Sequence, residues 1–264
     1  MAHPVWADGD AYEAYVGRWS RLVAADFLRA LDVPPGRHWL DVGCGTGALT
    51  STILADGAPG RVTAVDRSEG FLAGARTRVV DARATFHAGD ARALPLPDRA
   101  VDVVVSGLAL NFVPEPARAV AEFARVVRPA GVVAAYVWDY ADGMAMMRHF
   151  WAAAAELDPV AAELDEGRRF TVCQPDALRV LWVDAGLGEV SVRPVEVPTV
   201  FADLADYWTP FLGGQGAAPT YVTTLAEPGR AALRELLAAR LPVKPDGSIR
   251  LTARAWAVRG VASE

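Results

Sequence analysis

The chain has 264 residues, 52% of them hydrophobic, enough to bury a sizeable core in one α/β domain with insertions. A formal net charge of −6 without any Lys/Arg cluster argues against a nucleic-acid substrate and favours a small molecule. Two cysteines, Cys44 and Cys173, exclude a disulfide framework and fit a reducing cytoplasm.

In chain order, residues 12–28 read first as a helix, because Trp19, Val23, Phe27 and Leu31 recur every four residues in a packing stripe. The residues before it lack a basic segment followed by an apolar core. No run of about 18 uninterrupted apolar residues follows anywhere, so no membrane span is expected and the protein reads as soluble and cytoplasmic. From residue 37, apolar runs alternate with longer amphipathic stretches, the pattern of parallel strands joined by crossover helices. Strands are expected at 38–43, 61–66, 84–88, 101–107 and 132–138, and helices near 47–56, 69–80, 115–127 and 175–185. Gly60-Arg61, Pro95 to Asp98 and Pro129 to Gly131 punctuate them. The run from Val101 to Ser106 is almost continuously apolar, as a central strand covered on both faces should be. Segments 188–197 and 248–258 alternate with period two and are expected to pair as an antiparallel edge. Residues 141–173, rich in Met, Ala and aromatics, and 199–247, holding Tyr207, Trp208, Phe211 and a helical run at 226–241, follow strands whose carboxyl ends face a ligand crevice. They read as cap insertions, or as additional surface helices. The expected organisation is a helical lid at 1–35, a core at 36–140 continued at 174–198 and 248–264, and caps at 141–173 and 199–247.

The octet Leu40-Asp41-Val42-Gly43-Cys44-Gly45-Thr46-Gly47 carries the chemistry. Glycines at 43, 45 and 47 let the backbone turn sharply and approach a ligand at the start of a helix, and the Asp41 carboxylate stands where it can face a cation. Gly43, Gly45 and Ala48 also satisfy the dinucleotide fingerprint G-x-G-x-x-G/A, so the glycines alone leave both parses open. Asp66, 19 residues after Gly47, ends the second expected strand, where a carboxylate can accept from both hydroxyls of a ribose or cap the helix beginning near Ser68. Gly89-Asp90-Ala91 ends the third, in a place where an ordinary turn would also use Asp.

The D-x-G-x-G-x-G octet resembles motif I of the class I S-adenosylmethionine (SAM)-dependent methyltransferases, whose loop wraps the methionine end of SAM. The resemblance is good over residues 10–139 and points to the small-molecule methyltransferases of ubiquinone and menaquinone biosynthesis. It implies a Rossmann-like, doubly wound, seven-stranded sheet, mostly parallel with an antiparallel last strand, and helical cap insertions. It also implies SAM as cofactor, S-adenosylhomocysteine as product and a small-molecule methyl acceptor as partner. By the same resemblance Asp41, Gly43, Cys44, Gly45 and Gly47 hold the methionine end. Asp66 takes the ribose, Arg67 beside it belongs to the cofactor site, and Gly89, Asp90 and Ala91 meet the adenine, the Asp90 carboxylate accepting from its amino group. Residues 12–28 resemble the family's closing lid, making Arg18 a partner for the methionine carboxylate and Tyr15 or Trp19 an aromatic face near the sulfonium. Where the family often carries a histidine after the fourth strand, this chain has Asn111-Phe112-Val113. Asn111 can orient an acceptor or stitch the loop but cannot take up a proton.

Methyl transfer from SAM is in-line displacement, in which positioning does most of the work. A base is needed only where the acceptor must lose a proton; the candidates are His149 in the first cap, Tyr221 in the second and Asp139 just after the fifth strand, none marked out by its spacing, and His149 reads equally as a plain helix-face residue. The aromatic insertions suggest a partly apolar acceptor. No His, Cys, Asp or Glu spacing marks a metal site, and nothing indicates an oligomer. Two rivals stand beside this reading. A nicotinamide oxidoreductase would need an active-site arrangement such as Y-x-x-x-K, and the one lysine, Lys244, has no tyrosine four residues before it. A SAM-binding protein without turnover would share the whole constellation.

Overall fold

The computed structural model describes residues 17–214 and 216–263. The chain forms two compact units, a sheet unit of residues 20–137, 172–195 and 255–263 and an aromatic unit of residues 17–19, 138–171 and 196–254.

The sheet has seven strands in the order β3-β2-β1-β4-β5-β7-β6. β1 (His38–Val42) lies parallel to β2 (Arg61–Asp66), with Leu40 opposite Thr63, and to β4 (Val101–Gly107), with Leu40 opposite Val104. β3 (Ala84–Ala88) extends the sheet beyond β2, and β5 (Val127–Trp138) continues it beyond β4, both in parallel. β7 (Ile249–Ala262) runs between β5 and β6 (Leu187–Phe201), and these last strands are antiparallel. The expected Rossmann-like sheet is therefore present, with the apolar β4 at its centre and buried on both faces. The order turns back between β1 and β4. Ligands of doubly wound sheets bind beyond the carboxyl ends of strands at such a switch point.

Crossover helices α2 (Ala48–Asp56), α3 (Glu69–Arg78) and α4 (Pro116–Val126) follow β1, β2 and β4. Each has a local reason to start where it does. Gly47 precedes α2 in the left-handed region, Ser68 caps α3 by accepting from Phe71 N at 3.3 Å, and Pro116 opens α4. The preceding helix α1 (Arg18–Leu31) buries its stripe of Trp19, Val23, Phe27 and Leu31, and Phe27 packs on Tyr136 at 4.8 Å between ring centroids.

β5 starts five residues before its expected beginning. Val101 pairs with Val127 and Val103 with Val132, so β5 takes up three more residues than β4 over that interval. The Pro129-Ala130-Gly131 punctuation is a bulge inside the strand, with Ala130 at φ 59°, instead of a break before it.

The aromatic unit gathers both expected insertions. Phe150 of α5 (Ala145–Leu157) stacks on Phe211 with centroids 4.4 Å apart, Trp151 meets Tyr221 at 5.9 Å, and Tyr207 Oη donates to Met146 O at 2.8 Å. The buried Asp139 carboxylate holds Arg254 through Nε at 2.8 Å and Nη2 at 2.6 Å. Among the described residues no helix is long and apolar enough to cross a membrane.

Candidate cofactor site

The turn after β1 is built from left-handed glycines. Gly43 has φ 73° and a Cβ there would stand 2.5 Å from Ala109 Cβ, so both its conformation and its packing demand glycine. Gly45 has φ 53° but faces open space, leaving its backbone approachable. Gly43 N and Cys44 N donate to Val65 O at 2.8 and 3.1 Å, which ties the turn to the end of β2. Just before it, Asp41 is fully buried. Its Oδ2 accepts from Thr50 Oγ1 at 2.6 Å, whereas Oδ1 has no hydrogen-bond partner among the described residues. Burial pushes the Asp41 carboxyl up to about 7, and the nearby Asp66 charge pushes the same way. The Cys44 thiol is raised further still by burial, which keeps it protonated and inert.

Asp66 ends β2 as a buried bridge between two backbones. Its Oδ2 accepts from Gly45 N at 2.9 Å and its Oδ1 from Ser68 N at 2.8 Å. The cap of α3 is Ser68, so Asp66 is left to join the glycine turn to the end of β2. An ionised carboxylate offers about four lone-pair sites, and two remain here. Arg67 is exposed beside it. Gly89 N donates to Asp66 O at 3.0 Å, bringing the end of β3 alongside. There the Asp90 side chain is half-exposed and is held by Arg92, whose guanidinium keeps its carboxyl down at about 2; Ala91 follows, partly buried. After β4 the chain turns through Leu108 at φ 56°, an uncommon conformation for a side chain of this size and one tolerated at functional loops. It delivers Asn111, 9% exposed, on a single 3-10 turn, Leu110–Phe112, with its Nδ2 unpartnered among the described residues. The ends of β1, β2, β3 and β4 thus converge with Asp41, Asp66, Asp90 and Asn111.

The sequence profile of a family described as "Methyltransferase domain" matches residues 40–135. Demethylmenaquinone methyltransferase of Symbiobacterium thermophilum is 39% identical over 120 residues, covering 44% of this chain and 47% of that protein. The chain thus spans about half the length of that relative. The 2-methyl-6-phytyl-1,4-hydroquinone methyltransferase of Synechocystis sp. is 30% identical over 239 residues, covering 81% of this chain and 74% of that one. The chain belongs to the class I SAM-dependent methyltransferases. Its fold is also that of Haemonchus contortus phosphoethanolamine N-methyltransferase 2, solved in complex with SAM, at TM-score 0.60 and 16% identity over 95% of this chain and 56% of that one.

The residues of the sheet unit suit the family's cofactor. An unpartnered buried carboxylate oxygen matches an ammonium group, the open backbone at Gly45 admits close approach, and Asp66 and Asp90 keep free acceptor sites for hydroxyl and amino hydrogens. Among the described residues no group of three or more His, Cys, Asp or Glu is placed to hold a metal.

The other residues singled out in the sequence belong to the aromatic unit or fall outside the description. Tyr15 lies outside the described residues. Arg18 Nη1 pairs with Asp206 Oδ1 at 2.9 Å, and its guanidinium lies over the rings of Trp19 and Phe201 at 4.4 and 4.9 Å. Trp19 is buried edge-on against Phe201. His149 on α5 is half-buried, and desolvation lowers its pKa, so it is neutral at pH 7. Three participants went unread in the sequence. Thr50 on Asp41 and Ala109 against Gly43 leave no local signal, since each meets its partner only through the fold. Arg92 had one, the Asp-x-Arg spacing that lets a side chain fold back on its neighbour.

Proposed function

We propose that the protein transfers the methyl group of SAM to a small, partly apolar metabolite, with the cofactor seated at the β1/β4 switch point. The observation that carries this is the buried Asp41 Oδ1 without a partner. A desolvated carboxylate of this kind is costly unless it meets a cation, and the α-ammonium group of the methionine end supplies one. Asp66 takes both ribose hydroxyls on its two remaining acceptor sites, and Arg67 flanks it. Asp90 accepts from the adenine amino group, with the Gly89 and Ala91 backbones along the ring.

When bound, the cofactor supplies a methyl group on sulfonium, an already activated leaving group. The chain's part is positioning, for which up to about 7 to 11 kcal/mol is available in principle. The unpartnered Asn111 Nδ2 donates to the acceptor and orients it. A base is required only for acceptors that must lose a proton to react. Two relatives are named for methylation of demethylmenaquinone and of 2-methyl-6-phytyl-1,4-hydroquinone, which supports a partly apolar acceptor. Neither Cys44 nor Cys173 is in a disulfide, in keeping with a reaction in the cytoplasm.

Calorimetric titration with SAM, S-adenosylhomocysteine and NADH tests the reading. Saturable binding of the first two and none of NADH is expected, and Asp66→Ala and Asp90→Ala should each weaken SAM binding by about 1.5 to 3 kcal/mol. Unchanged binding in both variants overturns the site, and binding of NADH alone restores the dinucleotide parse.

A further inference from the structure

The loop after β3 is fastened more firmly than a turn needs. Arg92 folds back on Asp90 with three donors: its backbone N reaches Oδ1 at 2.9 Å, Nε lies 3.1 Å from Oδ1 and 3.2 Å from Oδ2, and Nη2 reaches Oδ2 at 2.7 Å. The guanidinium is held from behind, since Nη1 donates to Glu115 Oε2 at 2.8 Å just before α4. Farther along, Leu94 N donates to Glu122 Oε2 at 2.8 Å, and Arg125 reaches Leu96 O at 3.0 Å and Asp98 Oδ1 at 2.7 Å. The loop is thereby pinned to one helix at several points. Yet an exposed ion pair between residues two apart adds little stability, about 0 to 1 kcal/mol. Its geometric effect is larger. Three donors occupy three of the roughly four acceptor sites on Asp90 and forbid the carboxylate to rotate. The carboxylate is held in one orientation with 47% of its side chain exposed, where one further donor can reach it.

We infer that Arg92 is a positioning residue that locks Asp90 so that it accepts one N–H from the ligand's base, and thereby makes the site select a 6-amino purine over a 6-oxo purine. The inference rests on the proposed seating of adenine at Asp90. A locked acceptor meets the amino hydrogen of adenine without reorganisation and meets the carbonyl oxygen of hypoxanthine as a lone-pair repulsion. A carboxylate free to rotate avoids that repulsion and loses the discrimination.

The experiment is calorimetric measurement of Kd for S-adenosylhomocysteine and for its 6-oxo counterpart, S-inosylhomocysteine, on the wild-type protein, Arg92→Met, Arg92→Lys and Glu115→Gln. The wild type should prefer the adenosyl ligand by roughly a hundredfold. Arg92→Met should still bind both while the preference falls at least about tenfold, with Arg92→Lys and Glu115→Gln between the two. A merely structural Arg92 would weaken both ligands alike; a preserved ratio in Arg92→Met and Glu115→Gln overturns the inference while the adenine seat stands. If the wild type shows no preference, or Asp90→Asn leaves binding of the adenosyl ligand unchanged, the seating itself has failed and the inference falls with it.

Discussion

The two units each bury a carboxylate whose pKa burial drives up to about 7, Asp41 in the sheet unit and Glu166 in the aromatic unit, and their surroundings differ. Glu166 accepts from Trp151 Nε1 at 2.6 Å and from its own backbone amide, and sits beside the Arg148–Asp165 ion pair. Asp41 has Thr50 on one oxygen and nothing among the described residues on the other. Glu166 meets its partners within its own unit, as a structural carboxylate does. At the end of β1 a polar group is kept short of partners at a cost to the free protein, as is expected where a ligand completes the set.

The contrast makes its largest forecast in the aromatic unit. Phe211 is fully buried, stacked on Phe150 and touching Tyr207 at 5.5 Å between centroids. Phe211→Ala should cost about 3 to 5 kcal/mol of unfolding free energy by denaturant titration. A loss below about 1 kcal/mol would mean that this interior is loosely packed and the comparison is false.

Asp41→Asn should act in two opposite directions. Removing the charge should weaken SAM binding by about 1.5 to 3 kcal/mol, yet raise the stability of the ligand-free protein at pH 8 by about 1 kcal/mol. The sign follows from a folded pKa raised above the unfolded value near 4. The group's contribution is whole below pH 4 and is lost as pH rises through about 7, because the folded state must then hold an ion it poorly solvates. For the wild type, SAM affinity should increase between pH 6 and 8 as Asp41 ionises, and the variant should show a flatter profile. A variant that is both less stable at pH 8 and unchanged in affinity would assign Asp41 to packing.

How far these features are legible in the sequence depends on whether their partners are near in the chain. β1, β2, β3 and β4 come within one residue of their expected bounds, because period and punctuation are local properties. Asp41, Gly43, Asp66 and Asp90 were readable because their spacing follows the strand ends of a repeated βα unit. The bulge that lengthens β5 was hidden, since Pro-Ala-Gly marks a turn equally well inside a strand or before it. The partners Thr50, Ala109 and Glu115 depend on which helix returns over which strand, and no local pattern records that. Glu166, flanked by the charged residues Asp165, Arg168 and Arg169, is nonetheless buried, with Trp151 on α5 donating to it.

The smallest expected effect tests whether Glu166 is structural. Its folded pKa also lies above the unfolded value, so its contribution is complete below about pH 4.5 and fades as pH rises through about 7. Glu166→Gln keeps an oxygen for Trp151 Nε1 and removes the ion. The variant and wild type should therefore have similar unfolding free energies at pH 4.5, with the variant ahead by about 1 kcal/mol at pH 8, part of the gain being spent on the new amide hydrogens. The rise of SAM affinity with pH should be the same in both proteins, since it belongs to Asp41. If Glu166→Gln instead flattens the affinity profile while the stability curves coincide, the carboxylate that answers to the ligand is Glu166, and the roles assigned to the two units exchange.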